Sequence, residues 1–286
     1  MTSWAERPRL FVDIETYSST DIKAGAFKYV EAPDFEILLI AYAWGSDSVR
    51  VLNLLDGKQE ELADVIAGLL DPDTVKIAHN CAFERAALTR FLGRDLPPEE
   101  WEDTMILAAM NGLPMSLDAA GAALQLPGQK MKEGKDLIRY FAKPCKPTKA
   151  NGGRTRNLPC HDPEKWSQYI EYNRQDVVTE MEIRQILLKY SFSQSEQDLW
   201  VIDQNINDRG VMVDRVFAEN AAKILENIEF SFGKALAAAP ASSDQTADFM
   251  QVIAEITDKD NLLTPAPQAG EERTLLIIKP ENFRQP

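Results

Sequence analysis

Carboxylates dominate the residues whose type and spacing could do chemistry. Asp13-Ile14-Glu15 closes the apolar run Leu10-Phe11-Val12. On an extended strand, side chains two apart share a face, so both acids project together. Two carboxylates side by side at the end of a buried strand raise each other's pKa unless a cation neutralises them. Oxygen ligands of this kind select Mg²⁺ or Mn²⁺ over zinc. D-x-E alone is a weak signal, because most instances are merely a polar strand end.

Two further clusters carry the same chemistry. Asn80-Cys81-Ala82-Phe83-Glu84 falls at an expected strand–helix junction, with Glu84 one helical turn after Asn80 on the same face. The competing reading is a surface glutamate in a first helical turn, where acids favour the helix dipole. Tyr172-Asn173-Arg174-Gln175-Asp176 sets a phenol and a carboxylate at i and i+4 on one helical face. There a hydroxyl and an attacking water can lie side by side; a core tyrosine beside a solvated acid is the plainer alternative.

The elements that must position these residues are legible from periodicity. Arg9–Ile14, Ile37–Trp44 and Ser48–Leu54 read as strands, the last two joined by a Gly45-Ser46-Asp47 turn as a hairpin. Glu60–Leu70 has helical spacing and ends at Asp71-Pro72-Asp73. Val75–His79 reads as a strand entering a helix from Ala82 to Phe91. From Trp101 onward the pattern is helical, with Asp103–Met110 and Leu117–Leu124 as candidates and Ser116 as an N-cap. Lys143–Cys160 reads as an exposed loop, and Asp162-Pro163 opens a helix reaching about Tyr190 that carries Tyr172 and Asp176. A boundary falls near Ser191–Ser195, with a helix-prone stretch to about Leu236 and one late β-prone run at Thr274–Ile278.

Charge is unevenly spread. The net charge of −14 argues by itself against a nucleic-acid partner. Yet Lys130 to Arg156 holds nine basic residues against Glu133 and Asp136, a local net of +7 that leaves −21 elsewhere. Such a segment can hold a phosphate backbone, although charge runs are more often solvated loops. Cys81, Cys145 and Cys160 form no C-x-x-C pair, so no disulfide framework is expected, and Cys145, Cys160 and His161 fit no common zinc spacing. No apolar run reaches the roughly 18 residues of a membrane span, and the first residues lack the apolar middle of a secretory signal. A soluble cytoplasmic protein, of a bacterium or a phage-infected host, is expected.

In order along the chain, D-x-E, N-x-x-F-E and Y-x-x-x-D resemble the three exonuclease motifs of the DEDD superfamily. More narrowly they resemble its tyrosine subclass, as in the proofreading domains of phage and bacterial family A DNA polymerases. Trp101-Glu102-Asp103-Thr104-Met105 and Ser116-Leu117-Asp118 also resemble that family, and the likeness covers about residues 9–190. The histidine subclass would need His at position 171, which is Glu171. Position 84 departs from the usual Asp.

The resemblance implies an α/β fold: an RNase H-like mixed sheet flanked by helices over 1–190, then a mainly helical appendage over 191–286 like the start of a polymerase thumb. It implies two divalent ions, Mg²⁺ or Mn²⁺, held by Asp13, Glu15, Glu84 and Asp176, with Tyr172 orienting the attacking water. Thr16 and Asn80 would hold the terminal nucleotide, and Lys132, Lys135 and Arg139 would grip phosphates. Tyr17, Phe27 and Tyr29 are candidates for base stacking. The expected activity is 3′–5′ hydrolysis of single-stranded or frayed DNA 3′ ends. RNA trimming, or a non-catalytic module that binds DNA or a polymerase, are the alternatives. The chain lacks the D-Y-S-x-I-E-like strand and the H-D-E triplet of a polymerase centre, so a separate polymerase subunit is a conceivable partner and a membrane is not.

Overall fold

The computed structural model describes residues 6–57, 60–127, 134–190, 194–238 and 275–278. It divides into two compact units, Met1–Asn205 and Ile206–Pro286.

In the first unit, β1 (Arg9–Tyr17), β2 (Glu36–Trp44), β3 (Arg50–Asn53), β4 (Val75–Ala78) and β5 (Trp101–Asp103) form one sheet in the order β3-β2-β1-β4-β5. β2 runs antiparallel to β1 and β3, whereas β4 is parallel to β1 and β5 parallel to β4. This is the mixed, RNase H-like sheet that the motifs imply. β2 is an almost unbroken apolar run, as a strand covered on both faces requires. Gly45, at φ 54°, makes the turn from β2 to β3 in a conformation that a side chain would strain.

Helices cover the sheet: α1 (Ala26–Val30), α2 (Glu60–Leu70), α3 (Ala82–Leu92), α4 (Thr104–Met110), α5 (Leu117–Ala123), α6 (Gly134–Phe141), α7 (Pro163–Leu187) and α8 (Gln194–Arg209), whose last turn enters the second unit. One core joins Leu10, Val12 and Ile14 of β1 with Val65 and Leu69 of α2 and Ala87 and Leu88 of α3. On the other face, Phe11 of β1 packs with Val177 of α7. β1 is therefore sandwiched, and its C-terminal half runs on beyond its pairing with β4, which stops at Phe11↔Ile77.

Three expectations change. Trp101–Asp103 is a strand rather than the start of helix, since parallel pairing with β4 decides so short a segment. β1 continues three residues past Ile14, with a register shift between Glu15 and Thr16. The basic segment contains a helix, α6, whose Leu137 and Phe141 are buried at i and i+4. In the second unit β6 (Val211–Asp214) pairs antiparallel with β7 (Leu275–Ile278), and α9 (Arg215–Ala238) supplies most of the described residues. No helix among the described residues is long and apolar enough to cross a membrane.

Candidate active site

β1 and α7 build the site between them. Asp13 and Glu15 leave β1 on the face that α7 covers, and Asp176 comes down from the helix. Ligand oxygens of Asp13, Glu15 and Asp176 lie within 4.8 Å of one another. An all-oxygen donor set this tight suits a hard divalent cation.

α7 does more than supply Asp176. Its residues 169, 172, 173 and 176 share one face, and each is buried. The Tyr169 hydroxyl donates to Glu15 Oε2 at 2.6 Å. Asn173 Nδ2 donates to Asp13 Oδ2 at 2.6 Å. Bonds of this kind to a charged acceptor are short and strong, and they fix the carboxylates' rotamers. Tyr172 is hydrogen-bonded to Asp176. Burial above all, and then the charges of Asp176, Glu15 and Asp13, hold its phenol far above the ordinary tyrosine range. Tyr172 is therefore a hydrogen-bond donor at this site, not a base.

The ring of Tyr172 has a defined bed. It stacks on Tyr169 at 6.3 Å between centroids, and Tyr169 stacks on Phe141 at 5.4 Å. On its edge lies Gly134, where an added Cβ would fall 2.2 Å from Cε2. Only a glycine lets α6 start so close to this ring.

Glu84 stands apart from the trio. It is 5% exposed in the first turn of α3, and its Oε2 is buried with no hydrogen-bond partner. Burial, then the charge of Asp13, pushes its carboxyl well above the usual range, with Asp103 and Glu15 adding to the effect. Its setting depends on Asp103, whose carboxylate accepts from the backbone N–H of Asn80 at 2.9 Å, Cys81 at 3.1 Å and Met105 at 2.9 Å. Asp103 thus caps α4 and stitches the β4–α3 junction, where Asn80 takes a left-handed φ of 67°. Burial raises the pKa of Asp103, and these amide bonds oppose it.

The residues expected at a nucleotide lie in varied settings. Asn80 is exposed at the junction. Thr16 is 5% exposed and its hydroxyl pairs with that of Tyr29 at 2.9 Å. Lys135 and Arg139 lie exposed on α6, with Arg139 ion-paired to Asp136 at 2.9 Å. Lys132 lies outside the described residues. Tyr29 is core, packed against Phe35 and Phe83, which corrects its candidacy as a base stacker. Phe27 packs on that core too. Tyr17 is covered by the Arg156 guanidinium, 3.8 Å from its ring centroid. Arg156 also pairs with Glu36, and Arg154 binds Asn157 at 2.8 Å, so part of the basic segment is committed to the protein's own structure. Cys145 bonds within its loop and His161 Nδ1 accepts from Leu158 N–H, so neither points to zinc.

Sequence reasoning missed Tyr169, Asn173 and Asp103. The first two could have been found by extending the face of Asp176 back by three and seven positions. Asp103 carried the signature of an N-cap, but its bonds to Asn80 and Cys81 arise only in the folded chain.

No protein-family model matches the chain. Over 206 residues it is 48% identical to a protein of Bacillus phage SP02 described as a DNA polymerase, a match that takes in 72% of this chain and 32% of that protein. The chain thus spans about a third of that relative's length. Among solved structures it is similar to Brucella melitensis NrnC, with a TM-score of 0.40 and 14% identity over 68% of this chain and 81% of that one. It is also similar to Escherichia coli RNase D, described as an exoribonuclease involved in structured RNA processing, with a TM-score of 0.35 and 16% identity over 71% and 50% of the two chains.

Proposed function

We propose that this chain is a metal-dependent 3′–5′ exonuclease that releases nucleoside monophosphates from DNA 3′ ends, of the DEDD tyrosine subclass and related to polymerase proofreading. The observation that carries the reading is the meeting of Asp13, Glu15 and Asp176 within 4.8 Å, with the Tyr172 phenol bonded to Asp176. The 48% identity to a phage DNA polymerase supports DNA as the substrate and work beside a polymerase activity, on the same or a separate chain, in a bacterial or phage-infected cell. In this reading residues 1–190 are the nuclease and 191–286 an appendage like the start of a polymerase thumb.

Asp13, Glu15 and Asp176 would hold Mg²⁺ or Mn²⁺, with Glu84 supporting a second ion. When bound, such ions supply Lewis-acid activation of water and charge stabilisation at the leaving 3′ oxygen. The protein's own groups do the rest. Tyr169 and Asn173 hold Glu15 and Asp13 in one rotamer each, so the cluster is organised before substrate arrives. Tyr172, kept protonated, donates to the attacking water or its acceptor and sets the line of approach. Asn80, exposed beside the site, offers an amide to the terminal nucleotide. Lys135 and Arg139, with Lys132, supply charge for the phosphates further along, which makes binding weaken with salt.

The test is release of mononucleotides from a 3′-labelled single strand in Mn²⁺, with DNA and RNA of one sequence side by side. Wild type digests DNA, excess chelator stops it reversibly, and D13A is folded but inactive. DNA binding without release would favour a non-catalytic module, and preference for the RNA strand would make the enzyme an RNA trimmer. Digestion that persists in chelator would refute the mechanism.

A further inference from the structure

One buried acid near this site has no part in the reaction just described. Glu180 follows Asp176 by one turn of α7, on the buried face that also carries Asn173 and Val177. It is 1% exposed, and its Oε1 has no hydrogen-bond partner. After burial itself, the charges that bear on it most are Asp13 and then Glu84, with Asp103 and Glu102 behind them. Glu84 shows the same pattern from the opposite element: 5% exposed, an orphan Oε2, and Asp13 as the charge it feels most. Two unpartnered buried carboxylates, one from α3 and one from α7, therefore converge on Asp13.

The nearest cation on the helix is already engaged. Arg184, a turn beyond Glu180, gives its guanidinium to both oxygens of Glu102 at 2.6 and 2.8 Å. A carboxyl buried without a bond or a counter-charge is costly, and a Leu or Met would fill the same space at no such cost. An acid at this position makes physical sense when a positive charge enters beside it.

We propose that Glu180 is a fifth acidic residue of the cation site, acting with Glu84 and Asp13 to hold the second divalent ion behind the Asp13–Glu15–Asp176 trio. The proposal rests on the metal-dependent reading above. Glu180 is a positioning residue in it: it reaches the ion's charge, not the scissile phosphate.

The experiment measures Mn²⁺ binding by calorimetry and electron paramagnetic resonance, together with melting in chelator and in Mn²⁺. The proteins are wild type, E180Q, the apolar E180M and the exposed control E164Q. Wild type and E164Q bind two ions. E180Q and E180M keep the tighter ion and lose about 10- to 100-fold at the weaker one, the scale seen when groups supporting a metal's ligands are removed. Both variants melt in chelator at or above wild type, because a like charge is gone, yet gain less from Mn²⁺. The use of two variants guards against one that misfolds. Wild-type affinity for both ions and an unchanged Mn²⁺-induced shift in E180Q and E180M would overturn the proposal, leaving Glu180 a packed neutral acid. If wild type itself digests DNA, the nuclease reading survives that outcome. A wild type that neither binds Mn²⁺ nor digests DNA sinks both.

Discussion

Replacing Gly134 by alanine should disable the site without touching a carboxylate. The new Cβ would lie 2.2 Å from Tyr172 Cε2, 2.7 Å from Cδ2 and 3.0 Å from Cζ. Carbon atoms settle at about 3.5 Å, so the ring edge or the start of α6 must retreat by roughly 1.3 Å. The ring cannot simply slide back, because Tyr169 and Phe141 are stacked behind it. Alanine gains about 0.5–1 kcal/mol over glycine in a helix, and overpacking costs about 1–3 kcal/mol. The net stability loss is then about 0–2.5 kcal/mol, and the protein stays folded. Misplacing a positioning group by about 1 Å can cost about 100-fold in rate, and that is the expected fall in kcat. Y172F, which keeps the ring and loses the hydroxyl, should fall by about 10²–10⁴. Because both changes act through one phenol, the double variant should be little slower than Y172F alone. The assay is single-turnover release of a labelled 3′ nucleotide in Mn²⁺. G134A within twofold of wild type, or a double variant whose loss is the product of the two, would refute the coupling.

Two further outcomes concern stability. Arg184 and Glu102 tie α7 to β5 through a pair with side chains only 9% and 13% exposed. R184M strands Glu102 and should cost about 3–5 kcal/mol, read as a lower urea midpoint, while R184M/E102L should recover most of it; an unmoved midpoint in R184M would show the pair to be idle. Tyr29 has its phenol pushed up to about 12, chiefly by burial, with the Thr16 hydrogen bond opposing. The folded state then holds that proton more tightly than the unfolded chain does. Its contribution is whole below pH 10 and falls away as pH climbs towards 12, a loss of about 2–3 kcal/mol. Y29F should flatten that decline in denaturant midpoints between pH 9 and 11.5, and an equally steep decline in Y29F would assign it elsewhere.

What could be read before folding follows from where the signal was stored. Asp13 and Glu15 were legible because a strand's two-residue repeat puts them on one face whatever the rest of the chain does. Tyr172 and Asp176 were legible through the helical repeat in the same way. Trp101–Asp103 was not, since three residues carry no period and their extended form comes from pairing with β4. α6 was hidden by its charges: Lys135 and Arg139 drew attention, while Leu137 and Phe141, four apart, were the residues that make it a packed helix. Phosphate grip by the basic segment was an inference from composition, and composition does not show that Arg156 is spent on Tyr17 and Glu36.

Depth was the property least accessible to sequence. Four acids in three motifs look equivalent along a chain, yet three meet within 4.8 Å and the fourth, Glu84, lies orphaned deeper in the protein. The longer glutamate at that position is consistent with the difference: one more methylene lets a carboxylate anchored on α3 extend from a buried backbone. Glu180 was passed over for the same reason. Nothing in Val177-Val178-Thr179-Glu180 distinguishes it from a solvated acid on the outer face of a long helix. Its significance is set by the sheet beneath α7 and by Asp13 across from it, and only folding brings those together.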